Sequence, residues 1–172
     1  MIDSTVFSYW LKESIVDSFQ NLEGGISYKI QRDKRFSERE PWVLDSIWTA
    51  RKDERTAVMV ENNIPIVKLS FPIKENITWD GNRLNNYDEK KFEMVDVGKP
   101  FTGDFDSFPK TITVIQEYIP DNIVNSISKK EVYAENVGLI SKENIILIYV
   151  QGTGIIDSGI KYYQHLVAYG EE

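Results

Sequence analysis

Cysteine is absent from this 172-residue chain, and histidine occurs once, at His165. The first absence excludes disulfides, thiolate metal sites and a cysteine nucleophile. The second excludes any site that needs two imidazoles, the common catalytic zinc sets among them. Apolar runs are short. The longest, Ile145-Ile146-Leu147-Ile148-Tyr149-Val150, is strand-sized, far below the ~20 residues a helix needs to span a bilayer. No signal-peptide pattern follows Met1. Positive charge is in deficit: 20 Lys and Arg stand against 27 Asp and Glu, for a formal net charge of −7. Such a surface repels polyanions over most of its area, so nucleic acid is not an expected partner. Anionic lipid is disfavoured for the same reason.

Aromatic residues, by contrast, are plentiful, with four Trp, nine Tyr and eight Phe. Aromatic and β-branched side chains fit pleated, half-buried surfaces, and the chain reads as β throughout. Residues 5–19 alternate, with Phe7, Tyr9, Leu11, Ile15 and Phe19 on one face. Asn21-Leu22-Glu23-Gly24-Gly25 supplies a turn, and 26–36 alternate again, with Ile26, Tyr28 and Ile30 predicted inward and Ser27, Lys29 and Gln31 outward. The cluster Lys29, Arg32, Lys34, Arg35 and Arg39, interleaved with Asp33, Glu38 and Glu40, reads as a solvated mixed-charge strand and turn. Trp42, Leu44, Trp48 and Ala50 mark a third strand; 55–61 and 64–71 follow, joined at Asn62-Asn63.

From 72 to 109 apolar residues thin out, and glycines and prolines punctuate an irregular excursion with one short strand at 91–97. Strands resume at 111–119, with a short helical turn expected at 120–128. The unalternated run 145–150 predicts a central strand covered on both faces. Asp157-Ser158-Gly159 reads as a turn before a last strand at 160–169. The expected fold is all-β with at most one short helix. It is a single domain over 1–172, an antiparallel meander forming a curved sheet, sandwich or partly closed barrel.

Some phrases are more particular. Phe71-Pro72-Ile73-Lys74-Glu75-Asn76 leads into Trp79-Asp80-Gly81-Asn82; Glu131-Val132-Tyr133-Ala134-Glu135-Asn136-Val137-Gly138-Leu139-Ile140-Ser141-Lys142-Glu143 comes later, and Tyr162–Gly170 closes the pattern. Together these resemble a group of uncharacterised cell-envelope lipoproteins of Bacteroidetes-type bacteria, over nearly the whole chain. Asn76 departs from the pattern, which has glycine there. The resemblance implies export and an N-terminal lipid anchor, at the periplasm or outer membrane. The strand-like start at Thr5 fits a natural N-terminus lying upstream of Met1. No catalytic residue is carried over by the resemblance.

Candidate chemistry is sparse. Trp79 beside Asp80 and Asn82 would suit a sugar, an indole face stacking while polar groups bind hydroxyls; the bland reading is a plugged turn. Trp10, on the polar face of the first strand, and Tyr163, on the face of His165, are candidate platform aromatics for a glycan or a partner. Asp88, Asp96, Asp104 and Asp106 lack the spacing of a calcium loop, so no metal is expected. Gly152-Thr153-Gly154 lacks the Lys-Ser/Thr of a phosphate loop and reads as a turn. No cofactor is implied. No nucleophile elbow accompanies His165, so the chain is expected not to be an enzyme. The leading expectation is an envelope binding or interaction module; alternatives are a carrier of a small hydrophobic ligand or lipid and a carbohydrate-binding module. The expected partner is a protein, glycan or lipid of the envelope.

Overall fold

A computed structural model describes residues 5–21, 24–103 and 106–171. Among them every helix-or-strand element is a strand. Five form one sheet in the order β1-β2-β3-β4-β5, and six form another in the order β11-β10-β9-β8-β7-β6. All pairings are antiparallel and both orders are linear, so neither sheet closes into a barrel. The chain divides into two compact units, one holding the five-stranded sheet with Gly81–Glu89, the other Pro72–Asp80 and the chain from Lys90 onward.

In the first unit, β1 (Trp10–Gln20), β2 (Ile26–Arg35), β3 (Val43–Lys52), β4 (Thr56–Glu61) and β5 (Ile64–Ser70) form a meander. Its turns follow from local chemistry. Asn62 and Asn63 take φ of 51° and 67°, the left-handed pair that lets a two-residue hairpin match the twist of its strands. Between β3 and β4, the Asp53 carboxylate accepts the backbone N–H groups of Arg55 and Thr56, each at 2.7 Å. Those two bonds hold its pKa below the usual carboxylate range. Val58 and Val67, opposite one another on β4 and β5, are buried.

The second unit comprises β6 (Thr78–Asp80), β7 (Lys91–Thr102), β8 (Ser107–Ile119), β9 (Asn125–Ala134), β10 (Gly138–Tyr149) and β11 (Ile156–His165). One face carries the apolar cluster Phe108, Val132, Ala134 and Ile140, with Phe101, Val137 and Leu166 against it. On the other face a single cross-strand row runs Met94, Val114, Glu131, Lys142. Glu131 is 1% exposed; its carboxylate receives the Tyr133 hydroxyl at 2.6 Å and the Lys142 ammonium at 3.1 Å. Glu117 lies between Lys129, at 2.7 Å, and Lys90. Burial resists its ionisation, but the two ammonium groups together outweigh burial and keep its pKa low.

Several expectations change. About half of the described residues of 72–109 are regular: the stretch holds β6, all of β7 and the start of β8. The strand expected at 91–97 runs on to Thr102. The strand survives its polar composition because Glu75 accepts the N–H groups of Asp96 (3.1 Å) and Val97 (2.7 Å) at the irregularity after Val95. No helix forms at 120–128, where Asn122 closes a turn onto Val124 and Asn125 and β9 begins. The run 145–150 ends the penultimate strand, and Ile148 is exposed. Asp157-Ser158-Gly159 lies within β11, with Asp157 the extra residue of a bulge. Asn76 has φ of 60°, a conformation asparagine tolerates best after glycine.

Candidate functional site

The alternation of β2 was right in period and inverted in direction. Ser27 is 6% exposed and Asp33 is buried, whereas Ile26 is 57% exposed and Tyr28 is also exposed. Period two identifies two faces of a strand but not which of them meets the core. Here the outward face is the apolar one.

Register assembles that face into a strip. Ile15, Ile30 and Trp48 form one cross-strand row, and Tyr28, Ala50, Met59 and Ile66 form the next, reaching from β2 to β5. Ile15 is 70% exposed. A bulge at Val16 shifts the end of β1, so Phe19 pairs with Ser27 and joins the opposite face from Ile15. The expected common face of Phe7, Tyr9, Leu11, Ile15 and Phe19 is broken there.

Charged rows border the strip on one side. Arg32 bonds Glu13 at 2.7 Å and lies 3.7 Å from Asp45, and Lys34 reaches Asp45 at 2.7 Å. The Lys34 bond, with that of Ser46 and the nearby charge of Arg32, holds the Asp45 carboxyl below its ordinary range. The Arg32 guanidinium stacks 3.6 Å from the Trp48 ring centre, and the Lys34 ammonium lies 4.9 Å from that of Tyr9. These cations are therefore not the solvated mixed-charge surface expected from sequence; the Arg32 side chain is only 11% exposed. Stacking over indole and pairing with carboxylates together remove the guanidinium from water. On the opposite face Arg35 sits between Trp42 (4.4 Å) and Trp10 (5.9 Å).

The result has the anatomy of a contact surface: an apolar strip containing Trp48 and Tyr28, an adjoining Arg32, and a neutralised polar margin. Sequence reading missed it because the same residues were placed inward.

The residues singled out from sequence fall on other elements, distributed over both units. Trp79 is half-buried, edge-on to Phe92 with ring centres 6.0 Å apart. Asp80 accepts the Lys90 N–H at 2.9 Å, which places the start of β7. Asn82 donates to the Asp88 carbonyl at 2.7 Å and accepts from Asn85, tying the Gly81–Glu89 segment. Trp10 lies on β1 in the first unit, Tyr163 on β11 in the second, both exposed. His165 is exposed, its Nδ1 3.4 Å from the Ser141 hydroxyl.

Among the described residues no three His, Asp or Glu side chains gather as a metal site. Asp104 lies outside those residues. In the second unit an open depression of about 560 Å³ is lined by Asp121, Leu147, Tyr149, Ile156 and Lys161, among others. Asp121 accepts a hydrogen bond from the Tyr149 hydroxyl, raising that phenol's pKa.

Compared with known protein families, curated proteins and solved structures, the chain matches none.

Proposed function

We propose that this chain is a non-enzymatic interaction module of the cell envelope, the soluble part of an exported lipoprotein. Its contact surface is the apolar strip across β1–β5, and the strip receives a partner protein. The observation that carries this reading is the exposure of Ile15 on β1 and of Ile26 and Tyr28 on β2 beside Trp48 and Arg32, while Ser27 and Asp33 of β2 are buried on the other face. Each half-exposed aliphatic side chain retains roughly 1 kcal/mol of burial still to be gained. The bordering charges are already paired with one another, so recognition rests on apolar fit and not on net attraction. The envelope assignment rests on the sequence resemblance alone.

A lipid carrier fits less well, because the depression beside Leu147 is open and includes Asp121 and Lys161. The test is site-specific photo-crosslinking in the source cells, with the reactive side chain at Tyr28 and, as control, at the exposed Tyr118 of β8. The expected outcome is one discrete protein adduct from position 28, in the envelope fraction, and none from 118. An adduct to lipid alone, no protein adduct at 28, or a chain found in the cytoplasm would overturn the reading.

A further inference from the structure

Two linear sheets leave four edges, and three of them are blunted. β5 carries Pro65, and its Val67 N–H is already donated to the Gly81 carbonyl at 2.9 Å. β6 is three residues long. β1 carries Lys12, Glu13 and Asp17 besides its bulge at Val16, and charges together with a bulge turn an edge away from further pairing. β11 is different. Past its bulge at Asp157 it runs from Ser158 to His165 in unbroken register with β10, with no proline and a single lysine. Ile160 is 54% exposed on one face and Tyr163 is exposed on the other. An edge this long and this apolar is one that soluble proteins ordinarily protect.

We infer that β11 pairs antiparallel with β11 of a second copy of this chain, joining two six-stranded sheets into one. The occupant follows from the strand's own charges. Its acid, Asp157, lies at the start, and Lys161 and His165 lie towards the end. Antiparallel self-pairing sets the acidic start of each strand against the basic end of the other; a two-fold axis perpendicular to the sheet does this in both directions at once.

The axis passes at Ile160. Side chains on a shared face must meet, so the axis falls on a residue. Lys161 would there oppose its own copy, which like charges disfavour. About Ile160 the two isoleucines meet, Ser158 faces Tyr162 of the second copy, and Gly159 leaves room beside the stem of the opposing Lys161. Main-chain bonds then supply affinity, as in strand addition generally.

Sedimentation velocity on the full chain at about 0.15 M salt, a strength that screens the net charge of −7, provides the test. The parent chain is expected to show a concentration-dependent dimer. Ile160→Lys and Ile160→Glu, each checked for native circular dichroism, are each expected to weaken self-association at least tenfold. Mixed in equal amounts, the two variants are expected to re-form a heterodimer, since opposite charges then meet at the axis. A parent chain that stays monomeric overturns the proposal. So does a dimer that survives both substitutions, or a pair of dissociated variants that do not recombine on mixing.

Discussion

Replacing Gly159 with alanine tests a close backbone approach between β11 and β10. A Cβ at this position would lie 2.3 Å from the Ile146 carbonyl oxygen and 3.0 Å from the Leu147 Cα. Restoring an ordinary contact of 3.4 Å requires β11 to move about 1 Å from β10. Overpacking of this kind costs about 1–3 kcal/mol. A shift of that size also stretches the adjacent ladder bonds beyond useful length, each worth about 1 kcal/mol. The sum is roughly 2–4 kcal/mol, reduced towards the lower end because an edge strand can peel away from a single neighbour.

With a urea m-value of about 2 kcal/mol/M, the midpoint should fall by roughly 1–2 M. Gly170→Ala, where nothing lies within 4 Å, is the control and should leave the midpoint in place. Amide exchange at Ile146–Ile148 reports whether β11 has peeled instead of the whole unit weakening. An unchanged midpoint together with unchanged exchange in Gly159→Ala would refute the packing argument.

Three further outcomes are expected. Lys142→Met removes the ammonium from the buried Glu131 and should destabilise by on the order of 3 kcal/mol in urea, with Glu131→Gln/Lys142→Met recovering part of the loss; a neutral single variant would contradict the pairing. Asn76→Gly should be neutral to mildly stabilising and Asn76→Ala should cost about 1 kcal/mol by thermal melting, the order being set by the positive φ; equal effects would mean the backbone there is not left-handed. Asp45, Asp53 and Glu117 have pKa values depressed in the folded state, so the stability they contribute is complete above roughly pH 5 and is lost as pH falls through the folded values. Stability measured in urea should be nearly flat from pH 7 to about 5 and drop steeply below about 4, and a rise on acidification would be inconsistent with those shifts.

The hairpins of the first sheet were legible because turn chemistry is local. Asn62-Asn63 and Asn21 through Gly25 mark reversals whatever the rest of the chain does, and the alternation between them has a period only a strand can use. The side each strand presents to the core was not legible. Tyr28 and Ile30 share a row system with Trp48, and Ser27 shares one with Val58 and Val67; only the assembled sheet decides which row system is covered. The bulge at Val16 compounds this, since one extra residue moves Phe19 to the other face.

The long β7 was hidden for another reason. Its regularity depends on Glu75, 21 and 22 residues away from the amides it holds, and no window of sequence contains both ends of that interaction. The exposed apolar strip was missed because apolar residues at period two are ordinarily core, and here Ile15, Ile26 and Tyr28 are exposed. Trp79, Asp80 and Asn82 did mark a special turn, and the polar pair is occupied by backbone groups at Lys90 and Asp88.

Within each sheet, strands that lie side by side are consecutive in the chain. No segment has to wait for a distant partner before it can pair, so loop-closure entropy is small for each addition. Most all-β folds form slowly because their ladders join remote parts of the chain. This one can zip hairpin onto hairpin in the order of synthesis. Such an order shortens the time for which newly emerged strands expose unpaired edges.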